Sequence, residues 1–195
     1  MPRKKTELSA AEHAILGLVC RRPMHGYELA RHMTSEGGLG LICPLGLSNV
    51  YFLMNNLERA GLIEVDHREE AVYPPRTVFR ATAAGKRAFR AWMKQPVGRL
   101  RHVRLDFLLK LYFLWEQGPD ATLGLLEKQI EFCHRYLAEW RALAEAAGPQ
   151  SFERLADESK ITAAQGTLDW LLRYREQLQA GGHPLEVAAA SGEER

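Results

Sequence analysis

Apolar residues recur in the first third of the chain at the spacing of helices that bury one face. The run from Ile15 to Val19 predicts a first helix. This helix begins at a capping box formed by Ser9 and Glu12 and ends before Pro23. A second apolar stripe starts near His25 and stops at the glycines of positions 37 and 38, where a glycine-rich loop follows.

A third helix is predicted from Ser48 up to Gly61, which closes it as a C-terminal glycine. At 100° per residue, one face of this helix is apolar and predicts a buried side; it carries Val50, Leu53, Met54, Leu57 and Gly61. The opposite face carries Ser48, Phe52, Asn55, Asn56 and Arg59.

Two short β-rich segments follow, at 62–66 and 77–81, and the polar stretch between them predicts a hairpin with a long tip. Thr82 then caps a fourth helix that runs to about Lys94. The order helix, helix, loop, helix, hairpin, helix is typical of a winged helix-turn-helix. The predicted fold class is therefore mainly α with a small β-hairpin: a winged helix-turn-helix domain followed by an all-helical dimerisation domain.

The second half of the chain predicts three helices, at about 104–117, 121–147 and 151–180. One of them carries apolar residues at alternating spacings of three and four, the pattern of a coiled-coil seam: Leu123, Leu126, Ile130, Cys133, Leu137, Trp140 and Ala144. Such a stripe can bury against its own chain. Long helices attached to a small winged domain favour a second subunit, so we predict a homodimer. The predicted dimerisation residues are Leu123, Leu126, Ile130, Leu137 and Trp140.

These patterns divide the chain into a winged-helix DNA-binding domain at 1–98, a helical dimerisation and candidate effector domain at 99–180, and a tail at 181–195 that we expect to be disordered. The 195 residues include 46% hydrophobic residues, enough to bury a core. No run reaches the roughly 18 apolar residues that span a membrane, and no targeting segment is evident. Three widely spaced cysteines suit a reducing cytoplasm, so we expect a cytoplasmic protein with no membrane partner.

The charge is distributed unevenly. Residues 1–103 hold 16 Lys and Arg against 9 Asp and Glu, a net charge of +7, whereas residues 104–195 have a net charge of −5. A basic first half indicates that this half meets a polyanion, with double-stranded DNA the expected partner. The motifs of dinucleotide-binding, hydrolase and zinc enzymes are not found, so we predict no enzyme, no cofactor and no metal site. The alternative is a winged-helix protein-interaction module without sequence-specific DNA binding.

Several short motifs resemble those of PadR-family transcriptional regulators. They are Ile15-Leu16-Gly17-Leu18, Pro23-Met24-His25-Gly26-Tyr27-Glu28-Leu29, Ser48-Asn49-Val50-Tyr51, Gly61-Leu62-Ile63 and Phe79-Arg80-Ala81-Thr82-Ala83-Ala84-Gly85. The resemblance covers about residues 10–93 and implies a cytoplasmic homodimeric repressor that releases DNA on a chemical or stress signal. The chain departs from the family in carrying Phe52 after Tyr51 and the amide pair Asn55-Asn56 where a basic pair is common.

The third helix and the hairpin supply the candidate DNA contacts. Asparagine pairs bidentately with adenine in the major groove, and arginine is favoured in a narrow minor groove. Tyr51 is expected to bond a phosphate, as the resemblance implies. Alternatively, the asparagines are ordinary exposed residues and Tyr51 packs on the first helix. The predicted DNA-binding residues are Tyr27, Ser48, Asn49, Tyr51, Phe52, Asn55, Asn56, Arg59, Arg68 and Arg76.

A small aromatic effector is the third predicted partner. Trp92, Phe107, Tyr112 and Trp115 offer flat apolar surfaces and one hydroxyl where the fourth helix meets the helical domain. Packing of all four between the domains is the alternative. Cys43, just before the third helix, is interpreted as an inert loop cysteine rather than a redox sensor, and His25 as a residue that shapes a helix start rather than a metal ligand.

Overall fold

The computed structural model describes residues 7–34, 38–69, 75–147 and 150–181. The chain forms two compact units, one from Met1–Gln95 with Arg104–Glu116 and the other from Pro96–Val103 with Gln117–Arg195. The segment 104–116, which we placed at the start of the helical domain, thus groups with the winged-helix unit. The functional division at residue 98 stays a prediction. Of the predicted tail at 181–195, all but Gly181 lies outside the described residues.

The first unit is a winged helix with one additional helix. Its elements are α1 (Ala10–Arg21), β1 (Met24–His25), α2 (Gly26–His32), α3 (Leu47–Arg59), β2 (Ile63–Glu69), β3 (Arg76–Ala81), α4 (Ala83–Met93) and α5 (Leu108–Leu114). This order confirms the predicted fold class. The single helix predicted for about 104–117 is instead the short α5, preceded by a π-helical turn at Val103–Phe107 and followed by a 3-10 turn at Trp115–Gln117.

Local capping explains where the helices begin. The Ser9 hydroxyl accepts a hydrogen bond from the Glu12 N–H, and the Glu12 carboxylate accepts one from the Ser9 N–H, which confirms the predicted capping box. Thr82 caps α4 through a bond from the Gly85 N–H. The predicted start of α3 at Ser48 is wrong by one residue: Gly46 is the N-cap, and no side chain bonds there. At its other end, Gly61 has a φ of +69°, a conformation that glycine adopts without strain.

The wing is a three-stranded antiparallel sheet in the order β1-β3-β2. Strand β1 was not predicted, because two residues are too few to show alternation of apolar and polar side chains. It pairs Met24 with Phe79 and His25 with Val78, so it joins the start of α2 to the hairpin. A bulge at Asp66 interrupts the pairing of β2 with β3.

The core of the first unit collects the apolar faces predicted from the sequence. The fully buried side chains include Ile15, Leu16 and Leu18 of α1 and Val50 and Leu57 of α3. The outer face of α3 consequently projects away from this core.

The second unit is built on a pair of helices, α6 (Pro119–Ala146) and α7 (Phe152–Gln179), with a 3-10 turn at Leu100–His102. The two long helices pack against each other. The coiled-coil seam of α6 was predicted to pack against a second subunit. Most of it is buried without one, since Leu126, Ile130 and Leu137 are already buried in the single chain. Leu123 and Trp140 are half-buried, and the Lys160 ammonium lies 3.5 Å from the centre of the Trp140 ring.

No helix in the described part of the chain is both long enough and apolar enough to cross a membrane.

Gln129 ties the Val97 backbone to α6, a contact that the heptad pattern did not predict. Its side chain is fully buried, accepts a hydrogen bond from the Val97 N–H at 2.6 Å and donates one to the Val97 carbonyl at 3.2 Å.

Gln129→Leu should lower the free energy of unfolding by about 2–4 kcal/mol, because two buried backbone groups lose their partner. Urea denaturation measures the loss, with Gln177→Leu on the exposed side of α7 as the control; equal losses in the two variants would refute this role.

Candidate nucleic-acid interface

The exposed face of α3 carries the predicted DNA-binding residues together. Ser48, Asn49, Asn55 and Arg59 are exposed, Phe52 is 63% exposed and Asn56 is half-buried. The acidic residue of this helix, Glu58, lies in its last turn. The first turns of α3 therefore present amides, a hydroxyl and an aromatic ring without a carboxylate, which suits contact with base edges.

Tyr51 stands at the border of this face. It is 46% exposed, and its ring lies against the backbone of Gly26, where an added Cβ would come within 2.4 Å of the ring. Tyr51 thus contacts the start of α2, and its packing on the first helix stays an alternative. Tyr51 also lines a cleft.

The cleft lies between the start of α2, α3 and the hairpin, and its volume is about 440 Å³. The residues that line it are His25, Tyr27, Tyr51, Pro75, Arg76, Thr77 and Phe79. Tyr27 is 54% exposed, and Arg76 is half-buried. Three of the predicted DNA contacts, Tyr27, Tyr51 and Arg76, therefore share one concave surface, and within the described ranges none of its lining residues is acidic.

Several charges elsewhere on the described part of the hairpin are paired. Arg80 bonds Glu64 at 3.0 Å and lies 3.5 Å from Asp66, and His67 contacts Asp66 at 2.8 Å. Arg68 is exposed on β2 and does not line the cleft. The hairpin tip at 70–74 lies outside the described residues, so the contribution of Arg68 to a groove contact stays a prediction.

His25 is the cleft residue that the sequence interpretation assigned to the fold alone. Its Nδ1 accepts a hydrogen bond from the Glu28 N–H at 3.1 Å, which confirms that His25 shapes the start of α2. Its other ring nitrogen, Nε2, lies 3.4 Å from a guanidinium nitrogen of Arg76. The sequence carried no signal for this contact, because 51 positions separate the two residues.

The predicted effector residues are packed within the first unit. Phe107 is fully buried. Arg21 lies over the Tyr112 ring, 4.9 Å from its centre, and Trp115 is half-buried. Trp92 stacks on His13 with 4.3 Å between ring centres, and the Lys110 ammonium lies 4.8 Å from the Trp92 ring. Only the half-buried rings of Trp92, Tyr112 and Trp115 are therefore partly accessible to a ligand.

Burial shifts the titration of several groups in this unit. It lowers the pKa of His13 to about 4, against the opposing effect of the hydrogen bond between Nδ1 and the Ser9 carbonyl. Desolvation also lowers the pKa of Lys110 to about 8. Burial raises the pKa of the Cys43 thiol, and nearby Asp106 adds to the rise. A buried thiol that keeps its proton is a poor nucleophile, which favours the interpretation of Cys43 as inert.

The sequence matches two family models. Residues 15–91 match the transcriptional regulator PadR-like family, and residues 103–179 match the virulence activator alpha C-terminal family. A search of curated proteins gives no match.

The chain is also similar to solved structures at low sequence identity. Bacillus subtilis PadR in complex with operator DNA is 20% identical, with a TM-score of 0.42, over 87% of this chain and 99% of that one. Bacillus subtilis PadR in complex with p-coumaric acid is 19% identical, with a TM-score of 0.41, over 88% and 99%. A PadR-like regulator from Bacillus cereus is 21% identical, with a TM-score of 0.39, over 90% and 99%.

Proposed function

We propose, from the match of residues 15–91 to the PadR-like family of transcriptional regulators, that this chain is a cytoplasmic, sequence-specific DNA-binding repressor. The observation that carries the proposal is the outer face of α3, whose exposed amides stand beside a cleft lined by Arg76 and two tyrosines. Amides select bases, whereas a cation and hydroxyls hold phosphates. The function is that of a regulator and not of an enzyme.

Selection of bound duplexes from a random pool tests this proposal. It yields the preferred half-site, the spacing of two half-sites and the symmetry of the bound species. Binding to the selected operator should weaken steeply with salt, because cationic side chains release counterions from the phosphates. Recovery of no preferred sequence, with binding independent of salt, would support the protein-interaction module instead.

Asn55 and Asn56 are expected to account for base preference. Asn55→Ala and Asn56→Ala should each weaken operator binding by about 1–3 kcal/mol and relax the preference at one base pair, because a bidentate amide contact is lost. Tyr51→Phe should weaken binding evenly across sequences, as expected for a phosphate contact. Gln177→Ala, which removes an exposed amide from α7, is the matched control and should bind normally. Asparagine variants that keep wild-type affinity and preference would exclude this face as the reading surface.

We propose a homodimer, because the two DNA-binding domains of a dimer can bind both symmetric half-sites of an operator at once, which raises the affinity for the operator. Leu126, Ile130 and Leu137 of the predicted seam are buried within their own chain, so a partner needs further surface beside the half-buried Leu123 and Trp140. Leu143, Phe152 and Leu155 are large exposed apolar residues of α6 and α7. Phe152→Glu with Leu155→Glu should shift the mass in sedimentation equilibrium towards the monomer while the helical circular dichroism is kept. An unchanged dimer mass would exclude this surface.

We further propose that a flat aromatic compound or a stress signal releases the DNA. An effector acts only if it binds the released state better than the DNA-bound state. Titration of aromatic compounds should quench tryptophan fluorescence and release operator over one concentration range, and Trp115→Ala should remove both effects. Quenching with unchanged operator affinity would exclude the switch and leave the DNA-binding proposal intact.

A further inference from the structure

His25 and Arg76 bring two hydrogen-bond donors together at one point of the cleft. The Glu28 N–H donates to Nδ1 of His25, so this nitrogen carries no proton. A neutral imidazole then carries its proton on Nε2, which makes Nε2 a donor. Nε2 lies 3.4 Å from the guanidinium of Arg76, a group that only donates. Two donors cannot bond each other, so the geometry suits an acceptor that takes a hydrogen from both.

The walls of the cleft favour an anionic acceptor. The Tyr27 and Tyr51 rings line it, each about half exposed, and Thr77 adds a further hydroxyl. The ring of Tyr27 is nearly parallel to that of His25, with 6.4 Å between their centres. Among the residues that the structure describes, no carboxylate lines the cleft and Arg76 makes no ion pair. A guanidinium, an imidazole N–H and phenolic hydroxyls can all donate hydrogen bonds to a single oxyanion.

The position of the cleft favours a phosphodiester over a free anion. Tyr51 belongs to α3 and also lines the cleft, so an anion held here lies directly beside the face proposed to read bases. Contacts to the backbone of the duplex set the register in which a helix meets the base edges.

We propose that the cleft seats one phosphate of the DNA backbone, to which Arg76 and the Nε2–H of His25 both donate. His25 thereby performs two tasks: its Nδ1 caps α2, and its Nε2 bonds the phosphate. This inference rests on the proposed DNA-binding function and assigns His25 and the paired donors within it.

Two substitutions separate these contributions. His25→Asn keeps an N-cap acceptor for α2, since asparagine is a favoured N-cap residue, and removes the Nε2 donor. Arg76→Met keeps a long apolar side chain and removes the charge. Arg135→Met, which removes an exposed charge from α6 of the second unit, is the matched control.

Operator affinity is measured for each variant over a range of salt concentrations. Arg76→Met should lower affinity roughly ten-fold or more and reduce the slope of log K against log salt by about one. His25→Asn should lower affinity several-fold with an unchanged slope, because a neutral imidazole neutralises no phosphate. The two losses should not add in the double variant, because both residues serve one group. The control should keep both the affinity and the slope.

Neutral methylphosphonate, substituted one position at a time along the operator, then identifies the phosphate. Substitution at one position per half-site should weaken operator binding by the wild type and have no effect on binding by Arg76→Met.

The proposal is overturned if no such position exists, or if millimolar inorganic phosphate occupies the cleft in nuclear magnetic resonance while operator binding is unaffected. Wild-type protein that shows no salt-dependent DNA binding refutes the proposed function itself. Wild-type binding that both substitutions leave unchanged refutes only the assignment of the cleft.

Discussion

Replacing Gly85 by alanine should lower the free energy of unfolding of the winged-helix unit by at least about 3 kcal/mol, at the upper end of the range for overpacked sites. A Cβ at this position would lie 2.0 Å from the carbonyl oxygen of Leu62 and 3.2 Å from Cδ1 of Leu16. The obstacle is backbone, so no side-chain rotation relieves it. Thr82 holds the start of α4 in place, because its N–H donates to the Leu62 carbonyl and its hydroxyl to the Gly61 carbonyl.

Thermal and urea denaturation of Gly85→Ala, followed by circular dichroism, measure the loss. Gly124→Ala is the matched control, because Gly124 lies inside α6 and an added Cβ would meet no atom within 4 Å. This control should gain about 0.5–1 kcal/mol from the higher helix propensity of alanine. If Gly85→Ala unfolds at the same urea concentration as the wild type, α4 does not approach the Leu62 backbone as closely as described.

His13 should make the protein lose stability on mild acidification, with an effect of about 3 kcal/mol from this residue. Its pKa is about 4 in the folded chain, against the ordinary histidine value of 6.5. Between these values the unfolded state binds more protons than the folded state, so the free energy of unfolding falls as the pH is lowered from about 6.5 to about 4. The physical cause is burial of the ring against Trp92, where a positive charge is poorly solvated and Lys110 repels it.

Comparison of the wild type with His13→Phe isolates this contribution. Phenylalanine keeps an aromatic ring beside Trp92 and cannot take up a proton. The difference in unfolding free energy between the two proteins should change by about 3 kcal/mol from pH 7 to pH 4. His32, whose pKa burial also lowers, is present in both proteins and cancels from the difference. A difference that stays constant over this range would show that His13 is not buried in its neutral form.

The elements of the winged-helix unit were predictable because their signals are local. A capping box needs two residues three positions apart, and Ser9 and Glu12 form it as predicted. The buried face of α3 follows from a helical period: Val50, Met54 and Leu57 are buried as expected, whereas Leu53 at the edge of that face is half-buried. Gly61 closes α3 because it can adopt a positive φ. The same local reasoning placed the side chains of Asn55 and Arg59 on the outer face.

The partner of the α6 seam and the packing of segment 104–116 depend on which surfaces meet in the folded chain, and the local sequence pattern was insufficient to predict either. The heptad spacing of α6 indicates that Leu126 and Ile130 are buried but carries no information on what buries them. The structure buries both within a single chain, in which α6 packs against α7. Segment 104–116 shows helical periodicity, yet its grouping with the first unit depends on contacts with residues far away in sequence.

The sequence by itself determined α1, α3 and α4, the caps at Ser9 and Thr82, the hairpin and the outward face of α3, because each rests on backbone propensity and on side-chain spacing within a few residues. Only the tertiary structure decided that β1 joins the wing, that the seam of α6 is covered by α7, and that His25 meets Arg76. Each of these contacts joins segments that are distant along the chain. The free energy gained from such a contact depends on where the partner lies in space, which local sequence patterns do not encode.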